Sequence, residues 1–244
     1  MPKRILIIGL NWIGDAIMSM PALQACRAEN PDAHIAILVK PYLKPFWEMH
    51  AVPDQVLTLE KMGTTISSIR EYGFDTACIL PNSFRSALIP AMAGIRRRIG
   101  FKGDHRFLML TKVVAVVDGH QSNEYYPIMA PHSADLVKEF PQLNIPEAAF
   151  QTLEIKIPNL GNYAVLMPGA ARGASKMWPL DRFEQLARFV LDQTDLKLVF
   201  AGGGGDAPAC ESLSKTLGDR TLSVAGKTSL QEWAALLKGA AVAV

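Results

Sequence analysis

The stretch Ile5-Leu6-Ile7-Ile8-Gly9-Leu10-Asn11-Trp12-Ile13-Gly14-Asp15 decides the fold. Four apolar residues without polar alternation read as a strand buried on both faces, the pattern of a parallel sheet covered by helices. Gly9 breaks the run, and a helical pattern follows. The same succession recurs at residues 34–39, 76–80, 164–167 and 196–201, each run ending near a Gly or Pro and giving way to a helical pattern. Strand and helix in alternation predict an α/β protein. Asn82 or Ser83 is placed to cap a helix over 84–93 that ends at Gly94, and Pro179 stands where the first position of another helix belongs.

Residues 141–162 are rich in Pro and Asn, and the pattern restarts at Tyr163. This predicts two domains, 1–158 and 159–244. The second is read with strands near 164, 197 and 240 and helices near 180–193, 207–217 and 229–238. Three strands are few for a doubly wound domain, so the second is expected to be incomplete in this chain.

Composition narrows the function. Of the 244 residues 49% are hydrophobic and 20% charged, which excludes disordered, collagen-like and coiled-coil classes. A net charge of +2 is too small for a general nucleic-acid binder. The cysteines, Cys26, Cys78 and Cys210, are odd in number and form no CxxC pair, which fits a reducing compartment. No HExxH is present, and nothing reads as a metal site. The opening Lys3-Arg4 and apolar run imitate a signal peptide, but Asn11 and Asp15 interrupt it and no small-residue cleavage site follows. No run reaches the roughly 18 apolar residues of a membrane span. A cytosolic protein is expected, with peripheral membrane contact left open.

Three loops could carry chemistry. In the first, Asp15 stands where a Walker lysine would be, and GxGxxG is absent. An ionised carboxylate at a strand–helix junction can take a proton from a substrate hydroxyl as general base, or can simply cap the helix. Trp12, taken alone, reads as packing. The second loop is Pro81-Asn82-Ser83-Phe84-Arg85-Ser86. Between residues 80 and 112, seven basic residues (85, 96, 97, 98, 102, 106 and 112) face the single acid Asp104, a local charge of +6. Such a run attracts phosphates or carboxylates, or is a solvated face. The third loop, Pro168-Gly169-Ala170-Ala171-Arg172-Gly173-Ala174-Ser175-Lys176, combines small residues for close backbone approach with a lysine just ahead of a helix N-terminus. A cation there is disfavoured by the dipole unless an anion lies between, and a diphosphate would serve. Gly202-Gly203-Gly204-Gly205-Asp206 forms another close-approach loop, in which Asp206 could take a ribose hydroxyl or start the next helix.

Together these residues resemble the bacterial ADP-heptose:lipopolysaccharide heptosyltransferases. The resemblance rests on Gly14-Asp15, Pro81-Asn82-Ser83-Phe84-Arg85-Ser86-Ala87-Leu88, Ala93-Gly94-Ile95, Pro168-Gly169-Ala170 with Lys176, Trp178 and Pro179, and Leu222-Ser223-Val224-Ala225-Gly226-Lys227-Thr228. It implies a GT-B type fold of two Rossmann-like domains, the first for acceptor and the second for donor. It further implies an inverting, metal-independent transferase without cofactor, whose substrates are ADP-heptose and the inner core of lipopolysaccharide (Kdo2-lipid A bearing heptose), at the inner face of the inner membrane. Asp15 then matches the general base. Asn11, Trp12, Asn82, Ser83, Arg85, Arg97 and Arg98 go to the acceptor. Gly169, Ala170, Ala171 and Lys176 go to the donor diphosphate, with Asp206 a looser match. The family continues beyond the position of Val244 with an Asp-Ser-Gly loop and a histidine. A non-catalytic nucleotide- or anion-binding protein and a GT-B nucleotide-sugar epimerase remain alternatives.

Overall fold

The computed structural model describes residues 3–133, 140–170 and 174–244. The chain divides into two compact units, Met1–Asn144 and Ile145–Val244. The first holds β1 (Arg4–Ile8), α1 (Ile13–Glu29), β2 (His34–Val39), α2 (Lys44–Trp47), β3 (Gln55–Thr58), α3 (Met62–Tyr72), β4 (Thr76–Ile79), α4 (Phe84–Met92), β5 (Arg97–Phe101), β6 (Lys112–Val114) and α5 (Tyr126–Met129). Its strands pair in parallel in the order β3-β2-β1-β4-β5-β6. Alternate strand residues explain the two covered faces. Leu6, Ile8, Leu38 and Ile79 pack with Ile66 and Ile69 of α3 and Ala87 and Ile89 of α4. On the other face the Cys78 thiol donates to the Ile128 carbonyl of α5 at 3.2 Å. The order reverses between β1 and β4, and ligands of such sheets bind at the carboxyl ends of the strands beside that reversal.

The second unit holds α6 (Glu147–Lys156), β7 (Tyr163–Leu166), α7 (Leu180–Gln193), β8 (Lys197–Phe200), α8 (Ala207–Leu217), β9 (Thr221–Ser223), α9 (Leu230–Gly239) and β10 (Val242–Ala243). All pairings are parallel, in the order β10-β7-β8-β9, with the reversal between β7 and β10. Val165, Val199 and Ala201 face α6 and α9. Leu166, Leu198 and Phe200 face Phe183, Ala187 and Leu191 of α7, and Cys210 and Leu213 of α8. The helix residues recur every three or four positions, which puts each set on one face.

Two expectations shift. The division falls at 144/145 rather than 158, because α6 buries Ala149 and Leu153 in the core of the second unit. That unit has a fourth strand, β9, whose half-buried Thr-Leu-Ser at the sheet edge shows no apolar run. In the first unit β3, β5 and β6 likewise went unread as strands, and β5 opens on the arginines of the basic run. Among the described residues no helix is long and apolar enough to cross a membrane.

Candidate functional site

The carboxyl ends of the first sheet enclose a cleft of about 160 Å³. Gly9 and Asn11 after β1, Lys40 after β2, and Ser83 and Arg85 after β4 line it, over a floor that includes Leu38 and Ile89. No acid is among its lining residues, so two cations set its sign and favour an anionic ligand. Ser83 caps α4, its Oγ accepting the Ser86 N–H at 3.3 Å. Asn82 and Arg85 are exposed beside it. The Asn11 carbonyl accepts a hydrogen bond from the Tyr42 hydroxyl.

Asp15 lies one turn into α1, directly after the loop that supplies Asn11. Trp12, 43% exposed, holds the N-cap position, and Asp15 is the acid of the first turn. Asp15 is half-buried, and its Oδ1 accepts from Gln121 Nε2 at 3.4 Å. The same amide donates to the Tyr125 hydroxyl at 3.1 Å. Tyr125 is buried, which pushes its phenol above the ordinary value; the Gln121 bond opposes this and the Asp15 charge adds to it. Asp15 does not itself line the cleft; it stands four positions after Asn11, which does. A carboxyl group in such a place is suited to take a proton from a bound hydroxyl.

The basic run does not form one surface. Arg97 and Arg98 open β5 and sit level with Thr76 and Ala77 at the amino ends of the strands. A five-residue strand is roughly 13 Å long, so they do not join Asn11, Ser83 and Arg85. The Arg98 guanidinium is also committed, to the carbonyls of Met109 and Ile95. Arg106 is fully buried. Of the run, Arg85 and Lys102 remain near the carboxyl ends.

In the second unit, Gly169 and Ala170 follow β7, and Ala171 lies outside the described residues. Lys176 is exposed at the end of a 3-10 turn, Ala174–Lys176, ahead of α7, with Pro179 the residue just before that helix. Beside it Trp178 meets Phe183 edge-on, with ring centroids 5.1 Å apart. Asp206 precedes α8, and its Oδ2 accepts the Gly203 N–H at 2.8 Å. A Cβ on Gly169 would collide with this carboxylate, and one on Gly202 would come within 2.6 Å of it. Asp206 thus ties the loop after β8 to the loop after β7. That structural part was not legible beforehand.

The three thiols are free and buried. Burial pushes Cys26 to about 12 and Cys210 to about 11, and holds Cys78 well above the ordinary thiol value, so none offers a ready thiolate. Among the described residues no three His, Cys, Asp or Glu side chains converge on a point that could hold a metal ion.

Sequence reasoning missed Lys40, Gln121 and Tyr125, and counted Arg106 only as one member of the basic run. Lys40 follows an apolar strand, and that position was a usable signal. Gln121 is 106 residues from Asp15, and Arg106 is 25 from the Pro81 carbonyl it reaches, separations that the fold alone closes.

Both units are doubly wound parallel sheets, the class of α/β protein that binds ligands at the carboxyl ends of its strands. The first carries its cleft there, at the strand-order reversal. The model for glycosyltransferase family 9 (heptosyltransferase) matches residues 62–244, and the chain belongs to that family. Among its relatives is the lipooligosaccharide heptosyltransferase 2 of Haemophilus influenzae, 29% identical over 257 residues that take in 94% of this chain and 73% of that protein. The lipopolysaccharide heptosyltransferase 2 of Escherichia coli is 27% identical, with the same coverage of 94% and 73%. The solved structure of ADP-heptose LPS heptosyltransferase II from Escherichia coli superposes with a TM-score of 0.87 at 25% identity, over 98% of this chain and 78% of that one. The expected α/β, GT-B type fold is therefore shared with a known heptosyltransferase.

Proposed function

We propose that the protein transfers heptose from ADP-heptose to the heptose/Kdo inner core of lipopolysaccharide, with inversion. Asp15 takes the proton of the acceptor hydroxyl. That oxygen bonds to the anomeric carbon as the bond from this carbon to the diphosphate breaks, and ADP leaves with the electron pair. Asn11, Trp12, Asn82, Ser83 and Arg85 receive the acceptor, with Lys40 adding charge for its phosphates and carboxylates. Gly169 and Ala170 offer backbone N–H groups to the diphosphate, and Lys176 neutralises charge as ADP departs. Asp206 acts by holding the glycine loop. Neither a metal nor a cofactor enters these steps, and no nucleic acid is a partner. The acceptor is a membrane lipid, so the protein works at the cytoplasmic face of the inner membrane as a peripheral enzyme.

The observation that carries this reading is the position of Asp15 in a family 9 chain, in the first turn of the helix that follows Asn11 of the cation-lined cleft. Asp15→Asn and Asp15→Ala test it, by mass-spectrometric assay of heptose transfer to heptosylated Kdo2-lipid A. Loss of a general base costs about 10²–10⁴ in rate. Near-normal turnover in either variant overturns the assignment.

A further inference from the structure

We propose that Asp104 and Arg106 are positioning residues that set the loop after β4, and with it the presentation of Asn82, Ser83 and Arg85 to the acceptor. This rests on the acceptor reading above.

Arg106 has no accessible surface, and among the described residues it has no ion-pair partner within salt-bridge distance. A buried cation is tolerated only where its donors are spent on good acceptors. Here Nε donates to the Phe101 carbonyl at 2.8 Å, and Nη1 to the Pro81 carbonyl and to Ser86 Oγ, the latter at 3.3 Å. Nη2 reaches Asn82 Oδ1 at 3.5 Å. Three of these four acceptors belong to residues 81–86, the loop that supplies Ser83 and Arg85 to the cleft. Burial lowers the guanidinium pKa, and the nearby Asp104 charge works against that.

Asp104 grips the same loop as well, its Oδ2 accepting the Phe84 N–H, the first of α4, at 2.8 Å. Two more features fit a built clamp. Asp104 and His105 have φ of 41° and 51°, left-handed values that cost non-glycine residues energy and persist where surrounding contacts impose them. Gly100 lies under the guanidinium, where a Cβ would come within 2.9 Å of Nη2 and 3.0 Å of the Ile79 carbonyl. The consequence for the ligand is chemical. With its oxygen 3.5 Å from Nη2 of Arg106, the exposed Asn82 has its amide N–H donors left to offer, which suits an oxyanion or hydroxyl acceptor.

Two measurements on the intact protein test the clamp. Arg106→Lys keeps the charge and loses the fork. Acceptor KM should rise about tenfold, the equivalent of one lost charge-assisted hydrogen bond, while the KM for ADP-heptose stays within about twofold. Amide exchange at residues 83–86 should quicken by at least about tenfold, with that of β1 and β2 unchanged. Asp104→Asn, at an exposed position, should shift both readouts in the same direction by about threefold, and it decides the matter if Arg106→Lys does not fold. Exchange that rises throughout the first unit, a parallel rise in both KM values, or no change at 83–86 overturns the clamp. If the wild-type protein transfers no heptose, the proposed function fails and the exchange pattern alone still decides.

Discussion

The side-chain amide of Gln121 lies 3.4 Å from Asp15 Oδ1 and 3.1 Å from the Tyr125 hydroxyl, joining α1 to a turn more than a hundred residues later. The turn Gln121–Tyr125 is anchored by buried Ser122 and Tyr125, so the carboxylate that would take the substrate proton is held from a packed element. Gln121→Ala should lower kcat by about tenfold to a hundredfold, the scale of a small misplacement of a reacting group, and leave both KM values nearly unchanged. Steady-state kinetics with each substrate varied in turn checks this. A rise in KM at constant kcat would instead make Gln121 a ligand-binding residue.

His50 should make the first unit sensitive to mild acid. Its ring is buried against the edge of Trp47, with centroids 5.8 Å apart, and Nδ1 accepts the Val52 N–H at 3.2 Å. Burial lowers its pKa from 6.5 to about 4. The neutral ring is the folded form, whereas the unfolded chain takes up its proton below 6.5. This contribution is therefore complete above pH 6.5 and is lost as pH falls through the folded value, amounting at most to about 3 kcal/mol. Denaturant unfolding of wild type and His50→Gln between pH 8 and 4 should show the difference between them changing only below pH 6.5. A difference constant with pH would count against it.

In the second unit, Lys156 of α6 and Glu232 of α9 pair at 2.8 Å, with Glu232 almost fully buried. Burial alone would raise this carboxyl. The hydrogen bonds from Lys156 and the Ser229 backbone N–H outweigh burial and hold it below the ordinary value. Lys156→Met leaves a buried charge without its partner and should cost about 1–3 kcal/mol at neutral pH. The pair's contribution is present above the usual glutamate pKa of 4.5 and disappears as pH falls through the lower folded value. Adding Glu232→Gln to Lys156→Met should restore part of the loss, as a double-mutant cycle by thermal unfolding can show.

Gly169→Ala tests the junction of the two loops in that unit. The new methyl would occupy the place of the Asp206 carboxylate, breaking its bond to the Gly203 N–H. A destabilisation of about 1–3 kcal/mol is expected from this overpacking, together with weaker binding of ADP in calorimetric titration. Unchanged stability would show that Asp206 can move aside without cost.

The sequence by itself determined the α/β class, the strands that carry unbroken apolar runs, and the loops that follow them. Those features are local. Ile5-Leu6-Ile7-Ile8 declares a strand buried on both faces without reference to any other residue, and Asp15 falls after it whatever the sheet order. Tertiary structure alone decided what depends on neighbours in space. The strands at Arg97–Phe101 and Thr221–Ser223 exist through pairing with β4 and β8, since their own residues are too charged or too polar to announce them. The same pairing removed Arg97 and Arg98 from the cleft, because a residue at the start of a parallel strand lies at the end of the sheet opposite the ligand crevice. Charge counted along the chain treated Arg106 as one cation among seven. Packing made it the buried support of the loop that the sequence had singled out, since the energy of a guanidinium is set by the carbonyls that surround it and not by its neighbours in sequence.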